Sequence, residues 1–323
     1  MKDAKTPPLT LDEPILNLAL TVSEQIGRWD GASRPKPRVK LRKENRIRSI
    51  QSSLAIEGNT LSLEQVTAIL ENKRVAGPRK DIIEVQNAVL AYELLPKLHP
   101  WKEKDFLKLH GVLMKGLIPD AGKIRSGQVG VMKGEKVSHV APPAVRVPGL
   151  IRDLFQFGKR SKMNPLILSS VIHYEIEFIH PFMDGNGRMG RLWQNLVLAR
   201  SYPVFEFVPV EDSIRQNQKG YYAALEASDR AGDSAPFVRF MLEQMRDALE
   251  EVLHPSNFES SGSEDRLALA KERFGDLEFS RAEYLGVVGQ ISAPTGSRDL
   301  AEGVRRGVLI SHGDKRTARY RFR

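Results

Sequence analysis

The chain has 323 residues, 41% hydrophobic and 28% charged, with a net charge of +9 and no cysteine. That length supports two or three domains with a sizeable core, and the composition is that of a globular protein, not a disordered or fibrous one. No cysteine means no disulfide or thiolate metal site; no run reaches the ~20 apolar residues of a membrane span, and Met1-Lys2-Asp3-Ala4-Lys5 leads into no apolar secretion segment, so a cytoplasmic chain without a membrane partner is expected.

Residues 1–37 carry Pro7, Pro8, Pro14, Pro35 and Pro37 and read as partly irregular around one amphipathic helix, Ile15–Trp29. The basic run Arg38, Lys40, Arg42, Lys43, Arg46, Arg48 reads as a solvated helix face. Ile47, Ile50, Leu54 and Ile56 form an imperfect helical stripe, which Gly58 should stop, and Ser62-x-x-Gln65 is a capping box that starts the next helix. Glu57 leaves a carboxylate on the last turn of the first of these helices, where the macrodipole disfavours it. It is therefore either simply exposed or paired with an arginine from elsewhere. Further helices are expected over Ile82–Leu95, after a loop at Pro78, and over Asp105–Leu117.

Two short β-type runs interrupt this helical pattern: Gly127-Gln128-Val129-Gly130-Val131-Met132 and Lys136-Val137-Ser138-His139-Val140. Lys133-Gly134-Glu135 joins them into a hairpin. Its open edge can recruit an extended peptide by main-chain pairing; a surface loop without a role is the plainer alternative. A helix from Val147 to about Phe157 follows.

The richest stretch is His180-Pro181-Phe182-Met183-Asp184-Gly185-Asn186-Gly187-Arg188-Met189-Gly190-Arg191. Apolar helical patterns flank it: Leu166, Ile167, Val171, Ile172, Ile176, Phe178 and Ile179 before, and Leu192, Trp193, Leu196 and Val197 after. It reads as helix, short loop, helix. Gly185, Asn186 and Gly187 suit positive φ and turn their N–H groups toward the start of the second helix, where the macrodipole favours an anion. Arg188 and Arg191, three apart, share a helix face and can grip that anion. Asp184 beside a phosphate suits Mg²⁺, and His180 can take a proton near neutral pH. Taken singly these residues make a tight turn, a helix stop and a solvated face. Their fixed order favours a site for a nucleotide's phosphates, their metal and a base.

After a break at Pro203, Glu211–Ala227 resumes as helix with adjacent Tyr221 and Tyr222, one to pack in the core and the other to line a pocket; Ala235–Leu249 closes this block. Leu253–Glu264 is rich in turn residues and reads as a linker. Residues 265–323 then give helices Leu267–Phe274, Ser280–Val288 and Thr295–Arg306, followed by strands Val308–Ile310 and Thr317–Phe322, a winged-helix order. Ser297, Arg298, Arg305, Arg306, Lys315, Arg316 and Arg319 lie where a recognition helix and wing would meet phosphates; winged helices that bind protein are the alternative.

The stretch from His180 to Arg191 resembles the signature of the Fic/Doc family, H-P-F-x-[DN]-G-N-G-R-x-x-R, at every position. A looser similarity runs over residues 40–250, and the end of the chain resembles winged-helix tails often attached to such proteins. The fold implied is mainly α: a Fic-type helical core with a β-hairpin flap, plus a small C-terminal winged-helix domain. The implied divisions are 1–100, a helical region with an inhibitory motif; 101–252, the catalytic core; 253–264, the linker; and 265–323, the winged helix.

The activity implied is transfer of AMP from ATP to a Ser, Thr or Tyr hydroxyl of a protein. The resemblance makes His180 the base and Asp184 the Mg²⁺ ligand. Gly185, Asn186 and Gly187 become the cradle of the α- and β-phosphates, supported by Arg188, and Arg191 the γ-phosphate ligand. The branch that transfers phosphate has lysine at the position of Gly187, so Gly187 points to nucleotidyl transfer; the motif alone leaves a phosphocholine-transferring branch open. Ser53-Leu54-Ala55-Ile56-Glu57-Gly58 is similar to the family's inhibitory motif [ST]-x-x-x-E-[GN], whose glutamate pairs with the arginine that Arg191 matches. This implies self-inhibition, with AMP removal by water as a further use of Glu57. Gln128, Val129, Gly130 and Val131 would dock the target on the flap. Tyr221 and Tyr222 match an aromatic pair near adenine, although Asp229 stands where some relatives have an adenine-contacting asparagine. Implied partners are ATP, a protein target that includes the chain itself, and a second copy in a homodimer. A nucleotide-sensing regulator that binds DNA through residues 265–323 is the competing reading.

Overall fold

Residues 6–31, 39–133, 136–253, 262–288, 291–313 and 318–323 are described by a computed structural model. Two compact units result, one of Met1–Arg28 with Asn45–Glu251, the other of Trp29–Glu44 with Val252–Arg323.

In the first unit, α1 (Glu13–Gly31) and α2 (Val39–Ile56) are followed by α3 (Leu63–Leu70), α4 (Arg79–Leu94) and α5 (Glu103–Leu113). The expected capping box starts α3: Ser62 and Gln65 satisfy each other's main-chain N–H groups. Gly58, at φ +89°, ends the turn after α2 as expected. Helix α5 stops four residues before Leu117. The hairpin comes next, β1 (Gly130–Lys133) antiparallel to β2 (Lys136–Val140), with a register shift between Val131 and Met132. Gln128 and Val129, expected in its first strand, precede it, and residues 134 and 135 of the expected turn lie outside the described residues.

The rest of the unit is α6 (Val147–Arg160), α7 (Pro165–Ile179), α8 (Asn186–Ser201), α9 (Val210–Gln216), α10 (Gln218–Ala231) and α11 (Ala235–Leu253). Asn217, an indifferent helix former, splits the single helix expected over Glu211–Ala227. Helices α7 and α8 pack closely around Phe182, Trp193 and Phe106, whose ring centroid lies 5.2 Å from Phe182 and 5.0 Å from Trp193. Pro165 and the Asn164 side chain, which accepts from the Leu166 N–H, start α7 at a fixed point.

The inner stripe of α2, Ile47, Ile50 and Leu54, enters this core. On its other face Lys43 and Arg46 are exposed as expected, but Arg48 is not left to solvent. Arg48 pairs with Asp212 and, at 2.6 Å, with Glu251; Ser49 donates to Glu211 at 2.9 Å and Ser52 to Asp212 at 2.7 Å. Carboxylates of α9 and α11 thus hold the middle of α2, because a guanidinium with two acidic partners gains more there than in water.

Close packing also fixes α6. A Cβ on Gly158 would lie 2.2 Å from Cζ3 of Trp101. Gly158→Ala is expected to cost ~1–3 kcal/mol from overpacking, read as a lower urea midpoint with an unchanged slope.

The second unit holds α12 (Ser263–Phe274), β3 (Phe279–Ser280), α13 (Arg281–Val288), α14 (Ala293–Arg305), β4 (Leu309–His312) and β5 (Arg319–Phe322). The sheet order is β3-β5-β4, all antiparallel, over a core of Leu267, Phe279, Tyr284, Leu300, Leu309 and Phe322. Three helices and a wing were expected. The two-residue strand β3 was not, since so short a run carries no periodicity. Asp299 is buried there against Arg266, at 2.5 and 2.6 Å, and accepts from the Tyr284 hydroxyl at 3.1 Å.

Candidate active site

The site lies where α7 ends and α8 begins. His180 precedes Pro181, which disfavours a further helical residue, and it leaves α7 in the left-handed region at φ 50°. Its Nδ1 lies 3.3 Å from the Glu177 carbonyl. A carbonyl only accepts, so Nδ1 carries the hydrogen and Nε2 carries the lone pair, the form a general base needs.

The following loop is closed by Asn186. Its Oδ1 accepts from the Phe182 N–H and its Nδ2 donates to the Phe182 carbonyl, both at 2.9 Å. The Asn186 side chain, 2% exposed, is thus spent on the loop, which leaves its main-chain N–H for the expected anion cradle. Phe182 is buried and stacks on His110, centroids 3.6 Å apart. His110 accepts from the Gly122 N–H at 2.8 Å and, through Nε2, donates to the Asp184 carbonyl at 3.0 Å. Burial pushes its pKa down to about 4, so it stays neutral and holds the back of the loop. Gly185 turns the chain at φ +85°, and a Cβ there would strike Met114 Sδ at 2.7 Å. Helix α8 then presents its first N–H groups beside Asp184.

The two arginines of the stretch have different protein partners. Arg188 pairs with Glu84 at 3.0 Å and with Asp184 at 3.1 Å. Arg191 is buried against α2: Nε donates to the Ser53 hydroxyl at 3.0 Å, and Nη2 to the Ser53 carbonyl at 2.9 Å and to Glu57 at 2.7 Å. Arg191 is thus brought to Ser53 and Glu57, 138 and 134 positions before it. Burial works against the charge of Arg191, but Glu57 overrides it and holds the guanidinium above its ordinary pKa. Nη1 of Arg191 is buried without a hydrogen-bond partner, a donor left unsatisfied by the protein. Gly187 sits under the same group. A Cβ there would lie 2.4 Å from Glu57 Oε1 and 3.2 Å from Arg191 Nη1.

Tyr221 and Tyr222 separate as two neighbours on a helix must. Tyr222 is 41% exposed and its hydroxyl reaches the Ile56 carbonyl at 3.3 Å, beside Gln218 at 3.0 Å. Tyr221 is 1% exposed and packs in the core, as one of the pair was expected to, and its hydroxyl donates to Glu177 at 3.1 Å. Asp229 accepts from the Tyr174 hydroxyl at 2.8 Å. Glu177, Glu84, His110 and His173 were missed in the sequence. Burial pushes the pKa of Glu177 up, but hydrogen bonding with His173 and the charge of Arg191 outweigh it and hold the carboxyl below its ordinary value. A histidine inside the apolar stripe of Phe106, Leu109 and Leu113 was the one available sign of His110.

No group of three or more His, Asp or Glu side chains suited to a metal exists among the described residues. Asp184 is half exposed, and both its contacts fall on Oδ1. One carboxylate with an open side fits Mg²⁺ only in the manner of nucleotide sites, where phosphate oxygens and water complete the shell.

Residues 100–198 match the profile of the Fic/DOC family. A Fic family protein of Desulfovibrio desulfuricans G20, solved by crystallography, is 40% identical; the match covers 99% of this chain and 98% of that one, with a TM-score of 0.74. The chain belongs to the Fic/DOC family. Fic-1 of Caenorhabditis elegans, residues 134–508, superposes with a TM-score of 0.64 at 27% identity over 76% of this chain and 74% of that one. The protein adenylyltransferase fic-1 of Caenorhabditis briggsae is 34% identical over 216 residues, 63% of this chain and 40% of that protein. The protein adenylyltransferase Fic of Nematostella vectensis is 35% identical over 62% of this chain and 47% of its own length. The chain therefore spans less than half the length of these two relatives. The fold expectation holds: a mainly helical Fic core with a hairpin, followed by a small unit in winged-helix order.

Proposed function

We propose that this chain is a protein adenylyltransferase of the self-inhibited kind. One observation carries the reading: a histidine whose Nδ1 is directed at the Glu177 carbonyl, leaving Nε2 as the nitrogen to act as base, stands at the end of α7, six positions before a helix N-terminus suited to an anion. The names of the relatives support the same chemistry. His180 Nε2 takes the proton of a Ser, Thr or Tyr hydroxyl. The freed oxygen attacks the α-phosphorus of ATP, the bond to the β-phosphate bridging oxygen breaks, and pyrophosphate leaves. The N–H groups of Gly185, Asn186 and Gly187 hold the phosphates in line, work that is mostly positioning and charge stabilisation. Mg²⁺, held by Asp184, would offset phosphate charge. Arg191 binds the γ-phosphate when Glu57 releases it; until then ATP is held out of line. Glu57, once off Arg191, is also the carboxylate that activates water when AMP is removed. Residues 130 and 131, whose side chains lie outside the described ones, keep the target-docking role on β1.

Incubating the chain with Mg²⁺ and ATP labelled on the α-phosphate tests this. Weak labelling of the chain itself is expected, with none from ATP labelled on the γ-phosphate. Label arriving from the γ-position alone would overturn the reading.

A second reading rests on the small unit. Arg298 and Arg305 on α14 and Arg319 and Arg321 on β5 are exposed. Two of them already face carboxylates, Arg305 with Glu302 and Arg319 with Glu283, which weakens the patch. If this face binds duplex DNA, the full chain should shift a random duplex at about 50 mM salt and lose it steeply by about 200 mM. Arg298→Glu with Arg321→Glu should abolish the shift; no shift at low salt removes this reading.

A further inference from the structure

Arg125 is a buried cation, 3% exposed, on the loop between α5 and β1, and the proposed reaction gives it no part. Its recorded partners are all main-chain carbonyls. Nε donates to His180 at 2.7 Å, Nη1 to Gly127 at 2.9 Å, and Nη2 to Pro142 at 2.6 Å and Ile179 at 3.4 Å. Its own N–H donates to the Pro181 carbonyl at 2.9 Å.

These carbonyls come from three places. Ile179, His180 and Pro181 end α7, where the last carbonyls lack helical partners and the macrodipole favours a cation. Gly127 precedes β1, and Pro142 follows β2. One planar fork of donors thus ties both feet of the hairpin to the backbone of the catalytic histidine. Gly127 also lies against the loop: a Cβ there would be 3.7 Å from Met183 Sδ. Lysine could not copy this, since one ammonium has no fixed fork to span three segments. The left-handed turn at His180 has its carbonyl satisfied by Arg125, so the same contact steadies the direction of the imidazole.

We infer that Arg125 is a positioning residue that fixes the hairpin relative to His180, and so sets where a target hydroxyl bound along β1 meets Nε2. The inference rests on the proposed roles of His180 and the hairpin. It separates two properties: the contacts of Arg125 on this side end at Pro181, short of Gly185, Asn186, Gly187 and Arg191, so it should govern transfer and leave ATP binding alone.

The experiment uses the full chain carrying Glu57→Gly, with Arg125→Lys or Arg125→Met added. Three readings are taken: affinity for a non-hydrolysable ATP analogue, the rate of self-labelling from α-labelled ATP, and amide hydrogen exchange. The expected result is analogue affinity within about twofold of the parent, self-labelling lower by roughly 10- to 100-fold, and faster exchange in β1 and β2 but not in α8. Lysine should fail about as badly as methionine, which a need for charge alone would not produce. Self-labelling within about twofold of the parent, or unchanged exchange in the hairpin, overturns the inference, as does loss of analogue affinity in step with labelling. If the parent takes no α-label, the adenylyltransferase reading falls instead, and the exchange data still decide whether Arg125 tethers the hairpin.

Discussion

Glu57→Gly is expected to raise self-labelling from α-labelled ATP by on the order of 100-fold and to lower the stability of the nucleotide-free chain by ~3 kcal/mol. Both effects come from one contact. Glu57 meets Arg191 at 2.7 Å with 28% of its side chain exposed, while Arg191 is only 1% exposed. Removing the carboxylate leaves a buried guanidinium hydrogen-bonded to neutral Ser53 and offset by Glu177 only at longer range, and a buried charge that loses its direct partner is costly. The same ~3 kcal/mol no longer has to be overcome when the γ-phosphate takes Arg191, which converts to about 100-fold in the competent population. Partial exposure of Glu57 places the value at the lower end for a buried pair. Melting curves with and without ATP separate the two effects. The variant should melt roughly 6–12 °C lower without nucleotide and recover more than the parent does when ATP is added. Glu57→Gln, which keeps a neutral acceptor near Arg191, should fall between. Unchanged labelling in Glu57→Gly would show that the ion pair only braces α2.

Much of this was written locally in the sequence. The Ser62–Gln65 box, the stop at Gly58 and the His180-Pro181 break are short-range devices whose geometry follows from residue type, and the structure forms all three. What could not be read depends on partners far along the chain. Nothing near Arg48 says that Asp212 and Glu251, 164 and 203 positions away, will neutralise it, so a basic run read as solvated. Glu57 posed the same problem. Its place against the macrodipole implied a partner, but only a family resemblance pointed to Arg191. Asn186 shows a different limit. Its main-chain N–H was read for an anion cradle, but that its side chain clasps the Phe182 backbone depends on where Phe182 lies, which is a matter of packing. Tyr221 is similar: neighbours on a helix must diverge, but which one turns inward is decided by Phe237 and Phe240 beneath it.

His180→Gly should separate catalysis from stability more sharply than any other single change. His180 sits at φ 50°, a region that costs a non-glycine residue roughly 1–2 kcal/mol and glycine little. Losing its Nδ1 bond to the Glu177 carbonyl costs about 0.5–1.5 kcal/mol, so the two changes nearly cancel. The chain should melt within about 4 °C of the parent and bind an ATP analogue as before, because Arg191 and the α8 N-terminus are untouched. Transfer is another matter. Without a base beside the target hydroxyl, the rate should fall by about 10²- to 10⁴-fold, below detection in a chain still carrying Glu57. The measurement is therefore made on Glu57→Gly with and without His180→Gly. A variant that labels as fast as its parent would dismiss His180 as the base; one that unfolds would show that its side chain, and not Pro181, holds the end of α7. The left-handed turn ends α7 at His180, where a residue at ordinary helical φ would carry the helix on into the loop.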